Sequence, residues 1–368
     1  MDGIGRYTRN LVSAVVERSP DDEFVLFKII GVDFSFVSSF PNVRLREVPY
    51  NHLSPRTVFD LGRRLERENL DLFHVPFFVG PRRCPVPMVV TVHDLMALTF
   101  KGFFSHRGPI GQRLAEVYHR WFVPGTIRRA DLILADSTHT RNEIIRFLGI
   151  DPPKIEVVHP WSERSLAEEI SQEKGAEIRH SAGLFHPYVM YVGNAKPYKN
   201  IPGLLRGFAH FVSDLLAGDR LLLMAGIPDK ASGWIRAEGR RLGIAGRMRI
   251  LGHVSDRDLG ALLSGAEAFC FPSLEEGFGL PVLEAMSVGT PVVTSGCSSL
   301  PEVGGDAVLY ADPDCPREIG QALARICLDP AERQRLSQAG FRQAQKFDKD
   351  ISAGRVVDLY RRVARCGD

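Results

Sequence analysis

The chain has 368 residues, 44% hydrophobic and 24% charged, a composition that excludes a disordered or fibrous protein. Its 46 basic and 44 acidic side chains leave a net charge of +2, too balanced to draw in nucleic acid, which is not expected as a partner. No apolar run approaches the roughly 18 residues of a membrane span, and the six cysteines include no C-x-x-C pair. A reduced, cytoplasmic protein is expected, and the length suggests two domains of about 150 residues or slightly more.

The beginning is unusual. Gly3 and Gly5 come first and are followed at once by a helix-compatible run, 7–18. A doubly wound domain normally opens with a strand that delivers the chain into its first glycine-rich turn, so the first strand is expected to be missing from this sequence. From there, short β-rich runs alternate with longer helix-compatible stretches. In the first half they fall at 24–30, 43–48, 71–75, 88–93, 131–135 and 155–158, and in the second at 188–193, 220–226, 248–251, 268–271, 291–294 and 307–310. Nearly continuous apolar strands separated by helices indicate parallel sheets covered on both faces. Twelve strands suit two doubly wound α/β domains of about six strands each. The expected domains are 1–165 and 180–350, separated by a polar segment at 161–185, with a last helix in 351–368 packing back on the first domain.

Within the first domain, 101–129 mixes aromatic residues with arginines. Such a stretch could lie on an anionic membrane surface; a helix pair with a buried apolar stripe and solvated arginines is the preferred reading.

The strongest chemical signal is Pro272-Ser-Leu-Glu-Glu-Gly-Phe-Gly-Leu-Pro-Val-Leu-Glu284, between a strand and a helix expected to start near Pro281. Gly277 and Gly279 permit a tight turn and close approach of a ligand to the backbone. The helix amino terminus behind them offers N–H groups and a positive dipole end to an anion such as a diphosphate. Glu276 and Glu284 can then line one crevice at the carboxyl ends of the strands. Taken singly, each glutamate and glycine also admits a plain reading, as a dipole-balancing residue or a turn.

This block resembles the E-x7-E signature of the retaining glycosyltransferases of family 4. Gly3-Ile-Gly-Arg-Tyr7 looks like that family's amino-terminal glycine loop, and Thr91-Val-His-Asp94 like its strand-end histidine motif. Tyr191-Val-Gly-Asn-Ala-Lys-Pro-Tyr-Lys-Asn200 and Ser298-Ser-Leu-Pro-Glu-Val303 also match segments of the group. The resemblance implies the GT-B fold, two Rossmann-like domains facing a cleft, and a nucleotide-sugar donor. It implies that Glu284 accepts hydrogen bonds from the ribose. Glu276 would contact the sugar, helped by the amides of Phe278, Gly279 and neighbouring Leu280, and Lys199 the diphosphate. Gly193, Asn194, Gly3 and Gly5 would line the donor site, and His93 would reach the sugar from the first domain. A fixed cation beside a departing diphosphate favours the transition state over the ground state, which agrees with the role given to Lys199. A neutral imidazole at His93 could both donate and accept hydrogen bonds. The sequence departs from the family where many relatives carry arginine, with Tyr198 and Asn194 in those places, so Arg6 or Lys196 is a candidate replacement cation. His74 and His159 end strands and read as structural, and 136–140 as a helix cap.

D-x-D triplets occur at 256–258, 312–314 and 348–350. Each reads as a cap or turn rather than a metal site, so catalysis without a metal or other cofactor is expected. The expected function is a retaining transfer of sugar, with mannose from GDP-mannose preferred by the resemblance to bacterial polysaccharide mannosyltransferases. The acceptor would be a glycan or lipid-linked molecule of cell-envelope polysaccharide synthesis, with peripheral membrane contact. Two alternatives stay open: a non-catalytic or impaired nucleotide-binding relative, and a nicotinamide-dependent oxidoreductase. Against the latter, no G-x-G-x-x-G follows a strand.

Overall fold

The computed structural model describes residues 3–51, 53–162, 171–214 and 217–365, apart from the side chains at 3, 106 and 214. The chain divides into two units, Met1–Pro160 with Asp348–Asp368, and Trp161–Phe347. All twelve expected strands form, each within two residues of its expected position.

Unit 1 begins with a helix, Gly3–Arg18. Gly3 and Gly5 are therefore helical, and the glycine loop expected there is corrected. Strands β1 (Phe24–Ile29) and β2 (Val43–Val48) pair only with each other. β3 (Phe73–Val75), β4 (Met88–Val92), β5 (Leu132–Ala135) and β6 (Ile155–Val157) form a separate parallel sheet in that order. The expected single sheet of about six strands is thus corrected to sheets of two and four among the described residues. The chain enters this unit through a helix with no described strand ahead of it, and β1 and β3 are not hydrogen-bonded neighbours. Side chains bridge where the backbone does not: the rings of Phe27 and Phe73 meet edge to face at 6.3 Å. β4 is buried on both faces, which is why it reads as an unbroken apolar run.

The stretch after β4 is also corrected. A four-residue turn of helix, Met96–Thr99, precedes one long helix, Gly108–Arg129, whose core face carries Ala115, His119, Val123, Thr126 and Ile127. Tyr118 and Phe122 pack half-buried against that core, whereas Ile110, Leu114, Val117 and Trp121 of the same helix are exposed. The last helix, Lys349–Arg365, belongs to unit 1 and buries Val356, Val357 and Leu359, while Ile351 stays exposed. It is fastened to the first helix by Lys349–Glu17 at 3.0 Å and Arg18–Asp350 at 2.6 Å.

Unit 2 contains a six-stranded parallel sheet made of β7 (Tyr188–Val192), β8 (Leu221–Ala225), β9 (Met248–Ile250), β10 (Ala268–Phe271), β11 (Val292–Ser295) and β12 (Leu309–Ala311). The order is β12-β11-β10-β7-β8-β9, so the direction of winding reverses between β7 and β10. Helices on both faces close a continuous core around Tyr191, Phe208, Phe211, Phe269 and Phe271. The segment at 161–185, expected to lack a strand, holds the helix Gln172–Ser181; 163–170 lie outside the described residues.

Candidate active site

In an open parallel sheet, ligands bind beyond the carboxyl ends of the strands where the winding reverses, because the two connecting segments diverge there and leave a crevice. In unit 2 those segments are the turn after β7, which carries Lys199, and the loop after β10, which carries Glu276. Their side chains meet: Lys199 Nζ donates to Glu276 Oε1 at 2.7 Å, and both residues are buried. The ammonium also sits 4.7 Å from the ring centre of Phe271 and 5.4 Å from that of Tyr198. An apolar, aromatic setting of this kind raises the strength of a charge pair and the cost of leaving either member alone.

The two segments are joined by backbone as well. Leu274 N donates to Tyr198 O at 2.8 Å, and Asn200 Nδ2 to Pro272 O at 3.1 Å and Pro313 O at 2.8 Å. Asn200 holds a left-handed φ of 51° and its Oδ1 accepts from Gly203 N, capping the helix Ile201–Asp214. The motif asparagine therefore fixes where Lys199 points. Gly193 has φ 154°, and a Cβ there would lie 2.8 Å from the Tyr191 hydroxyl. Asn194 is a turn builder: its Oδ1 accepts from Lys196 N, and its carbonyl accepts from the Tyr191 hydroxyl.

The glutamate loop is clamped by the segment that follows β11. Glu276 N donates to Ser298 Oγ at 2.9 Å, and the fully buried Ser299 hydroxyl faces both the Glu276 and Phe278 carbonyls, at 2.9 and 2.7 Å. Ser298 does this from a φ of 52°, a strained setting for a residue other than glycine. Gly279 has φ 112° and caps the helix Leu280–Ser287, with no side chain capping its amino terminus. That opening suits an anion. The helix starts one residue earlier than expected, so buried Glu284 stands a full turn inside it rather than in its first turn.

In unit 1, His93 follows β4 directly, and its Nδ1 lies 2.7 Å from Asp136 Oδ2. Its Nε2 lies 3.2 Å from the Pro76 carbonyl. Both partners are acceptors, so making both bonds requires a proton on each nitrogen. Burial pushes its pKa down, but the Asp136 charge and hydrogen bond outweigh this and raise it, which favours the doubly protonated ring that this geometry can accommodate. Asp136 was missed as a partner of His93. The signal was available in the register, because Val92 pairs with Ala135 and the next residues along are His93 and Asp136.

Asp94 accepts from Met96 N at 2.8 Å, and Ser137 caps the helix Thr138–Leu148. His74 is structural. Its ring joins the hydroxyls of Tyr360 and Thr91, and burial together with nearby His93 lowers its pKa to about 3. Each aspartate triplet serves its own turn: Ser255 caps at Asp258 N, Asp312 accepts from Asp314 N, and Asp348 from Asp350 N.

Two family models match, "Glycosyltransferase Family 4" over residues 1–162 and "Glycosyl transferases group 1" over 178–343. The O-antigen chain mannosyltransferase B of Escherichia coli is 30% identical over 98% of this chain and 96% of its own. The chain belongs to glycosyltransferase family 4. Another family relative, the D-inositol 3-phosphate glycosyltransferase of Corynebacterium diphtheriae, is 27% identical over 75% of this chain and 65% of that one. Solved structures with the GT-B fold align over nearly the whole length. WaaG, a glycosyltransferase involved in lipopolysaccharide biosynthesis, gives a TM-score of 0.73 at 15% identity, covering 98% of this chain and 96% of its own. Anabaena HepE in complex with UDP and glucose gives 0.71 at 16% identity, covering 97% and 95%. The family 4 chain thus has the GT-B fold of two Rossmann-like domains, and the Lys199–Glu276 pair lies in the second of them.

Proposed function

We propose that this chain is a retaining glycosyltransferase that moves a sugar from a nucleotide-diphosphate donor to a glycan or lipid-linked acceptor of cell-envelope polysaccharide synthesis. Mannose from GDP-mannose is the preferred donor, on the strength of the mannosyltransferase relative. The observation that carries the reading is the buried Lys199–Glu276 pair at the winding reversal, beside the uncapped start of the helix that bears Glu284.

Charge decides the division of labour. As the bond from the anomeric carbon to the diphosphate oxygen breaks, negative charge grows on that oxygen, and the Lys199 ammonium with the helix amino terminus stabilises it. The acceptor oxygen bonds to the anomeric carbon on the face the diphosphate leaves, and its proton passes to the departing phosphate. Glu276 orients the sugar and Glu284 takes the ribose hydroxyls; the family motif assigns His93 to the sugar, a role in which its Nε2 exchanges the long bond to the Pro76 carbonyl for a sugar hydroxyl. No metal or further cofactor is needed in this scheme, the nucleotide sugar being a co-substrate.

A thermal-shift screen against nucleoside diphosphates and their sugars tests the first half of the proposal, since a ligand that binds only the folded state raises the melting temperature. Incubation with GDP-mannose and candidate acceptors, with NMR of the product's anomeric proton, tests the second. Stabilisation by no nucleotide, or a product of inverted configuration, would overturn it.

A further inference from the structure

The helix Gly108–Arg129 is apolar on two opposite sides. One side is core. On the other, Ile110, Leu114, Val117 and Trp121 recur at helical spacing and are 80, 68, 51 and 77% exposed. At 100° per residue all four fall within a sector of about 60°, so they form one ridge along three turns. Scattered exposed leucines need no explanation, whereas a continuous ridge capped by a tryptophan does.

Its surroundings say what it fits. Arg113 and Arg120, both exposed, run along one flank of the ridge, with Arg107 just before the helix and Arg128 in its last turn. Between 101 and 129 there are six Lys or Arg side chains and one acid, Glu116, while the whole chain carries only +2, so the remainder is slightly acidic. Basic charge is thus concentrated around this exposed apolar ridge. Such a surface matches a bilayer of anionic lipid, whose headgroups take the guanidinium groups while the apolar side chains enter the acyl boundary. A second copy of this chain would bring like charges together along the same ridge.

We propose that this helix docks the protein on anionic lipid membranes, with Ile110, Leu114, Val117 and Trp121 inserted and Arg113 and Arg120 on the headgroups. The inference rests on the helix alone and stands apart from the assignment of activity.

The full chain is sedimented with vesicles of phosphatidylcholine containing 30% phosphatidylglycerol, in parallel with vesicles of phosphatidylcholine only, and tryptophan emission is recorded. Binding is expected to the anionic vesicles with a blue shift in emission. Leu114→Glu with Trp121→Glu should abolish it, and Arg113→Gln with Arg120→Gln should weaken it by about 25-fold, at about fivefold per cation. Trp121→Phe should keep binding but lose most of the blue shift, because Trp161 is already buried and Trp234 belongs to the other unit rather than to this helix. All these positions are exposed, so the melting temperature should not move. Equal binding by wild type and the glutamate variant, or no binding to anionic vesicles, would overturn the proposal. So would lipid-free self-association that disappears in the glutamate variant, which would make the ridge a dimer face.

Discussion

Replacing Glu276 by glutamine should make a nucleoside diphosphate bind more tightly while sugar transfer slows. The Lys199 ammonium is held at 2.7 Å by the Glu276 carboxylate. A phosphate oxygen accepting from the same ammonium at about 2.8 Å stands roughly 4–5 Å from that carboxylate. At an effective dielectric of about 20, two like charges at that distance repel by about 4 kcal/mol. Water and salt lower this to about 1.5–3 kcal/mol, a ten- to hundredfold gain in affinity on removing the charge. Glutamine keeps the shape and one acceptor for Lys199, so the folded protein loses on the order of 1–3 kcal/mol and stays folded. Calorimetric titration of UDP and GDP in parallel, with initial rates of transfer, measures both effects. If the glutamine variant binds both diphosphates no more tightly than wild type, Glu276 does not face the diphosphate and the charge argument fails.

Asp136→Asn should destabilise unit 1, and the loss should depend on pH with a known sign. His93 has a raised pKa in the folded state, so its pair contributes fully below the unfolded value of about 6.5 and fades as pH rises through the folded value. Denaturant unfolding should show a larger wild-type advantage at pH 5.5 than at pH 9, and an advantage constant with pH would contradict the raised His93 pKa. Gly279→Ala should cost about 1–3 kcal/mol through backbone strain, because φ is 112° and the new Cβ would lie 2.8 Å from Leu300 Cδ2. Calorimetry should also find its diphosphate affinity reduced, and unchanged melting and affinity would show that the loop relaxes freely. Lys199→Ala should lower kcat more than it raises the donor dissociation constant, and equal losses in both would remove its leaving-group role.

Much of the fold was legible because parallel strands buried on both faces write themselves as apolar runs, as β4 and β8 do. The lysine turn and glutamate loop were legible for a different reason: glycines, a proline and paired acids constrain a short backbone in few ways. Long-range pairing was not legible. Asp136 read as part of a cap because its partner lies 43 residues away across a strand register. Ser298 and Ser299 read only as family residues, since their grip on the Glu276 loop depends on how β10 and β11 align. The helix Gly108–Arg129 misled because apolar residues on two opposite sides cancel the one-sided periodicity by which a buried face is recognised. The split of the first sheet followed from hydrogen bonds that β1 and β3 do not make, which no strand pattern reveals.

The central claim is that the second domain gathers Lys199, Glu276 and Glu284 around a nucleoside diphosphate. Calorimetric titration of wild type and Glu284→Ala with UDP, GDP and inorganic pyrophosphate tests it most directly. Wild type should bind a nucleoside diphosphate well above pyrophosphate, and Glu284→Ala should lose at least tenfold of that affinity, about 1.4 kcal/mol, while its pyrophosphate affinity holds. Wild type that binds no nucleoside diphosphate, or a variant that binds it as wild type does, would contradict the account.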